Sequence, residues 1–307
     1  MSRICYIERS FYTKARAVVD QANAICEEYA AQGLDLTLRQ LYYQFVARGL
    51  IANKQSEYDR LGSIVNDARL AGDLDWEFLV DRTRNLMGIS HHDSPANLIR
   101  DAARRFHTDK WSNQPTRVEV WVEKDALVGV LESVCPSEDV DFFACRGYVS
   151  QSEMWAAAQR IERYIIAKQA VLVLHLGDHD PSGIDMTRDV RERLELFIRE
   201  DLWNSAVNDL EVKRIALNMD QIELYNPPPN PVKLTDVRAN GYVAEFGRQS
   251  WELDALEPSV LVDLVRSEIE ACRDSDLWTA AVSREGEMRQ ALSAAASQVS
   301  SLLDGLS

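Results

Sequence analysis

Apolar residues recur every third or fourth position through the first seventy residues, and that period predicts three helices. Over 10–32, Ala15, Val18, Val19, Ala22, Ile25 and Cys26 share one face, with Ser10 a cap and Gly33 the stop. A second helix over TLRQLYYQFVARGL starts from Thr37 as N-cap and stops at Gly49. A third runs from Gln55 to Gly72, with Leu61, Ile64, Val65 and Ala68 on one face and Arg60, Asn66 and Arg69 off it. DLDWEFLVDRTR then reads as strand, turn and strand. Three helices and a β-ribbon are the order of a winged helix-turn-helix, a mainly helical module that presents a helix to a DNA groove or to a protein.

The stretch 87–115 is more polar and reads as a linker with one helical segment, ANLIRDAARRF, dividing the chain into domains over 1–113 and 114–307. His91 and His92 are adjacent in that linker without a third ligand at helical spacing, so they read as a solvated pair. From Arg117 the period changes. RVEVWVE, VDFFAC, VLVLHL and VKRIAL read as strands, and helical stretches separate them. VLVLHL is a near-continuous apolar run, the mark of a strand buried on both faces. Strands alternating with helices predict an α/β domain with a parallel, Rossmann-like sheet, followed by a helical C-terminal extension. NPPPNPVKL (226–234) reads as a rigid extended connector.

Composition narrows the partners. The 307 residues carry 34 Lys and Arg against 49 Asp and Glu, a formal charge of −15. Residues 1–115 hold 15 of each sign, so the excess of acid lies wholly in 116–307. Affinity for a phosphate backbone comes largely from Lys and Arg, so nucleic-acid contact belongs to the N-terminal part or to a divalent ion held by an acidic cluster. Arg60, Arg69 and Lys124 are the candidate DNA-contacting cations. The five cysteines are widely spaced and never CxxC, which fits reduced thiols in a cytoplasmic protein. No apolar run reaches the ~18–20 residues that span a bilayer, and MSRICYIERS lacks a signal-peptide core. No GxxxxGK loop is present, so ATP hydrolysis, where needed, falls to another chain.

Ligands of a parallel sheet gather beyond the carboxyl ends of its strands. Glu123 ends the first strand, and Asp178 and Asp180 follow the third in GDHDPSG. Three carboxylates on one rim form a hard-oxygen set suited to Mg²⁺. Glu252 and Asp254 are candidates for a second metal position, against a solvated loop. His179 is a candidate for touching phosphate or metal, while His175 falls in an apolar strand and reads as core. In the N-terminal half, Arg39 and Tyr43 stand i, i+4 on one helix face. A free tyrosine is about one part in a thousand phenolate at neutral pH, so a guanidinium one turn away is positioned to stabilise phenolate or to bind a phosphate. Tyr42, Tyr43 and Phe45 read equally as helix core.

The strand ending in Glu (VWVEKDAL) and the later strand ending in DxD (LHLGDHDPSG) resemble a Toprim domain, the metal-dependent core of topoisomerases, primases and several nucleases. Arg39-Gln40-Leu41-Tyr42-Tyr43 resembles the R-x-x-[YF]-Y motif of the A subunit of DNA topoisomerase VI and its meiotic relatives, in which a CAP-like winged-helix domain precedes Toprim. In length the chain is similar to the compact mini-A forms. The resemblance implies Mg²⁺-dependent cleavage of double-stranded DNA, with Tyr43 as nucleophile, Arg39 the motif arginine, Glu123 an acid/base or metal carboxylate, and Asp178 and Asp180 metal ligands. It also implies a homodimer that pairs one protomer's tyrosine with the other's metal site, and a separate ATPase (B-type) subunit for strand passage. SWELDALEP (250–258) resembles segments of single-chain Toprim nucleases. Two alternatives therefore stand: a nuclease that activates water, with Tyr43 structural, and a non-catalytic DNA-binding component.

Overall fold

A computed structural model describes residues 3–80, 89, 91–198 and 210–304. The N-terminal part is three helices, α1 (Thr13–Ala30), α2 (Leu38–Ala47) and α3 (Gln55–Ala71). Their apolar faces meet in one core that includes Ala22, Ile25, Tyr29, Leu41, Phe45, Leu61 and Val65. Helix α1 begins at Thr13, beyond reach of Ser10, and its N-cap Tyr12 makes no side-chain bond, so the expected cap is not used. Helix α2 starts as expected in a capping box: the Gln40 N–H donates to Thr37 Oγ1 and the Thr37 N–H to Gln40 Oε1. Helix α3 ends at Gly72, whose φ of +76° suits glycine and where a Cβ would lie 2.9 Å from the Cys5 nitrogen.

The first strand of the expected ribbon is instead a single 3₁₀ turn, Trp76–Phe78, with one parallel bridge between Leu36 and Leu79. The Asp75 carboxylate takes the Glu77 N–H, which closes a turn that a strand would leave open. The remainder of that ribbon, 81–84, lies outside the described residues.

Helix α4 (Pro95–Arg105) leads into an α/β unit: β1 (Thr116–Val122), α5 (Val128–Val134), β2 (Asp141–Ala144), α6 (Gln151–Ile166), β3 (Ala170–Leu176), α7 (Pro181–Phe197) and β4 (Leu210–Ala216). The four strands are all parallel, in the order β2-β1-β3-β4. After β4 come α8 (Met219–Tyr225), a short antiparallel pair β5 (Asn230–Pro231) and β6 (Gln249–Ser250) flanking α9 (Ala239–Phe246), then α10 (Pro258–Cys272) and α11 (Ser275–Asp304). One sheet face, Val118, Val120, Val122, Leu172 and Leu174, packs with α5 and α10. The other, Trp121, Val171 and Val173, packs with α6 and α7. With helices on both faces the sheet is doubly wound, as the alternating pattern predicts. Among the described residues no helix is long and apolar enough to cross a membrane.

The described part of the linker is held rather than loose. Glu285 on α11 accepts the Thr108 N–H at 2.8 Å, Lys110 Nζ at 2.9 Å and Arg289 Nη2 at 2.8 Å. Although burial opposes it, the Thr108 N–H, Lys110 and Arg289 hold this carboxyl down to about 2. A depressed folded-state value means stability that is present above the ordinary glutamate range and lost as pH falls toward 2. Glu285→Gln will therefore melt below the wild type at pH 7, and thermal scans will show the difference closing by about pH 2–3.

Candidate active site at the carboxyl edge of the sheet

The strand ladder sets the site's rim. The Glu123 N–H donates to the Leu176 carbonyl at 2.8 Å and the Gly177 N–H to the Ala216 carbonyl at 2.9 Å, so β1, β3 and β4 end level. Glu123 and the 177–180 loop leave the sheet side by side at that edge. Glu123 Oε2 accepts the Asp178 N–H at 2.9 Å, and Asp178 Oδ1 accepts the Leu253 N–H at 2.7 Å. Asp180 is the N-cap of α7, its Oδ1 taking the Gly183 N–H at 2.6 Å and the Ser182 hydroxyl at 2.8 Å.

Two features stiffen this loop. Arg214, on β4 beside His175, donates to the carbonyls of Gly177 (2.8 Å), Asp178 (2.6 Å) and Gly183 (3.0 Å). At Gly183, a Cβ would sit 2.1 Å from the Asp178 carbonyl oxygen, a backbone atom that cannot step aside. Gly183→Ala will therefore displace Asp178 and cost about 1–3 kcal/mol, which a urea titration will register as a lower midpoint with an unchanged slope.

Cations from distant parts of the chain converge on the same rim. Lys124 Nζ lies 2.8 Å from Asp178 Oδ1, 2.8 Å from Glu252 Oε2 and 2.7 Å from Asp254 Oδ1. Arg39 on α2 donates through Nε to Asp254 Oδ2 at 2.7 Å and through Nη2 to Glu252 Oε2. Asn230 Nδ2 reaches Glu252 Oε1 at 3.4 Å. A cavity of about 550 Å³ opens above this cluster, lined by Arg39, Tyr43, Lys124, Asp178, Asp180, Glu252 and the 230–233 segment among others.

The electrostatics are unusual. Burial pushes Asp178 up to about 7, with Lys124 pulling down and Glu123 and Asp254 adding to the rise. Burial and the nearby Asp180 also raise Glu123. Glu252 goes the other way: against the penalty of burial, Lys124 and Arg39 hold it down to about 2. Burial, Asp254 and Glu252 push the Tyr43 phenol well above its ordinary value, and Arg39 offsets only part of this. Arg39 favours phenolate, as expected, but it is shared with Glu252 and Asp254, whose charges outweigh it at the phenol.

The other sequence candidates separate clearly. Tyr42, Tyr43 and Phe45 are all buried in the N-terminal core, yet Tyr42 and Tyr43 also line the cavity. Asp178, Asp180 and Lys124 line it too, whereas Glu123 stands behind Asp178 and is not a lining residue. The Arg69 guanidinium binds the Trp76 and Leu79 carbonyls and lies over the Trp76 ring, fastening the turn after α3. Arg60 is exposed and pairs with Glu57 on its own helix. His175 is fully buried, as expected. His179 is also buried, bonded to the Tyr242 hydroxyl at 2.7 Å and edge-on to Phe246 and Trp251, so it faces a ring cluster rather than phosphate or metal. Glu252 and Asp254 do not stand in a solvated loop: they are the counter-ions of Arg39 and Lys124.

The rim has the hard-oxygen chemistry of a Mg²⁺ site, and its mutual repulsion is what a divalent ion relieves. Among the described residues, however, no three His, Cys, Asp or Glu side chains are grouped to hold a metal ion. The cation resting on Asp178 is Lys124. Glu123, Asp178 and Asp180 thus fit Mg²⁺ by donor type, and Asp178 becomes fully available only when Lys124 withdraws.

No family model matches the chain, and no curated protein matches it.

Proposed function

We propose that this cavity cleaves double-stranded DNA by transesterification onto Tyr43, as in the topoisomerase VI A subunits that the Arg39–Tyr43 and Toprim-like motifs resemble. One observation carries the reading: a tyrosine from the N-terminal helices and two carboxylates from the edge of a parallel sheet line the same cavity. A winged-helix fold for the N-terminal part and a Toprim identity for the sheet domain belong to this proposal. So do a homodimer, cutting one strand per chain, and a separate ATPase subunit. Tyr43 and Asp178 already share a cavity within one chain, so the reading does not need a partner's carboxylates to complete the site.

In this chemistry Tyr43 Oη attacks the scissile phosphorus and the P–O3′ bond breaks. The phenolic proton passes to water in the cavity. The departing 3′ oxygen takes a proton, for which Asp178, held at about 7, is the lining donor. The product is a 5′-phosphotyrosyl link that conserves the broken bond for resealing. Arg39 is one helical turn from Tyr43 and is the bidentate donor for the phosphate. Where Mg²⁺ is held by Glu123, Asp178 and Asp180, it would supply charge neutralisation at the phosphate and leaving oxygen.

The test is covalent capture. Supercoiled plasmid is incubated with the protein and Mg²⁺, denatured, and resolved with and without proteinase treatment. Protein attached to 5′ ends supports the reading. Cleaved ends free of protein would replace it with the water-using nuclease, which the burial of Tyr43 beside Glu252 and Asp254 favours. Retained DNA binding without any cleavage would leave the non-catalytic component.

A further inference from the structure

Glu252 is held by a set of donors that looks made for a different anion. Its carboxylate is gripped by Arg39 Nη2, by Lys124 Nζ at 2.8 Å and, more distantly, by Asn230 Nδ2 at 3.4 Å. A guanidinium, an ammonium and an amide converging on two oxygens are donors that bind a phosphodiester. The three residues come from different parts of the chain: Arg39 from α2, Lys124 from just past the end of β1, and Asn230 from β5. Glu252, in turn, directly follows the short β6 strand and its Trp251 neighbour, whose backbone is bridged to His179. It is only partly buried, with its side chain 27% exposed, so it sits at the mouth of the pocket rather than in the core. Asp254, by contrast, is fully enclosed and supplies the permanent counter-charge to the same two cations.

We infer that Arg39, Lys124 and Asn230 form the phosphate subsite beside Tyr43 and that Glu252 occupies it as a built-in phosphate mimic, which a DNA backbone phosphate displaces. The inference rests on the DNA-cleavage reading and deepens it, because it names the group that closes the site when no DNA is bound. It also accounts for the oddity that both cations nearest Tyr43 are already neutralised. Glu252 and a phosphodiester each carry a single negative charge, so the exchange leaves the balance among Arg39, Lys124, Asp254 and Asp178 unchanged. DNA must therefore compete with a tethered carboxylate, and this suppresses binding to stray phosphates in a chain whose N-terminal part has no net charge.

The experiment measures binding alone, in EDTA, with the full chain and a fluorescein-labelled DNA duplex followed by anisotropy across a salt series. Glu252→Gln and Glu252→Ala are compared with wild type, after thermal melts establish that each is folded. Both variants are expected to bind about tenfold tighter or more, the worth of a charge-assisted hydrogen bond set free. The salt dependence should steepen by about one released counterion. Adding Arg39→Ala to Glu252→Gln should erase most of the gain. Wild-type binding with no gain in either folded Glu252 variant would overturn the mimic and leave the DNA reading standing. No binding by any form at low salt would overturn both.

Discussion

Tyr43→Phe will bind duplex DNA as tightly as the wild type and yield no protein-linked ends. The substitution removes one oxygen and keeps the ring, which lies edge-on to Tyr42 at 5.2 Å and packs in the N-terminal core. The hydroxyl it removes stays protonated where it stands, since burial, Asp254 and Glu252 all oppose its ionisation. Stability should thus move by no more than about 1 kcal/mol in either direction, within the range of substitutions that leave packing intact. Binding should be held by Arg39 and Lys124, which the change does not touch. Only the covalent step needs Oη, so its loss should be complete rather than partial. The pH profile of the wild type carries a further signature. With the phenol raised and Asp178 near 7, adduct yield should climb with pH until the lining acid is spent, giving a bell rather than a plateau. Free ends made equally well by Tyr43→Phe would assign the tyrosine to the core and the cleavage to water.

What the sequence disclosed and what it withheld divide along the range of the interactions. The near-continuous apolar run Val171–Leu176 and the alternating Val118, Val120 and Val122 announce strands because burial on a sheet leaves a local imprint. The capping box at Thr37 and Gln40 is likewise local, and it appears where expected. Glu123, Asp178 and Asp180 were legible as rim residues because a parallel sheet gathers its ligands at one edge. The ribbon after α3 was misread in its first half, since a short acid-aromatic segment serves a 3₁₀ turn as readily as a strand once Asp75 caps it.

The charge network was invisible for another reason. Arg39 finds Asp254 across 215 positions, and Lys124 finds Glu252 across 128, separations that no period encodes. Arg214 left one faint trace: a basic residue beside Lys213 in the last strand of the parallel sheet, abreast of a histidine in an otherwise apolar neighbour. Such a side chain has to find buried acceptors, and here they are the carbonyls that fix the 177–183 loop.

Lys124→Met will be the most destabilising of the single changes considered, by about 3–5 kcal/mol at neutral pH and above, because it strips the shared cation from buried carboxylates while keeping the length of the side chain. Burial pulls the Lys124 ammonium toward neutrality, yet Asp254, Asp178 and Glu252 more than restore it, so the charge is present throughout the working range. The loss should depend on pH in a definite sense. Asp178 has a folded value raised to about 7 from an ordinary 3.8, so the folded state holds that proton more tightly than the unfolded chain. Stability from such a group is full at low pH and is lost as pH rises through the interval between the two values. Without Lys124 the folded value moves higher still, and the penalty extends above neutrality. Urea titrations in EDTA should therefore show a larger deficit at pH 8 than at pH 5, where protonation of Asp178 supplies what the ammonium did. Equal deficits at the two pH values would mean that Lys124 acts through packing alone. Millimolar Mg²⁺ should then return part of the lost stability to Lys124→Met and add little to the wild type, because the two cations compete for Asp178. Recovery that vanishes when Asp180→Asn is added would place the ion on the rim. No recovery at all would make Lys124 the resident cation of this site, with no role for magnesium.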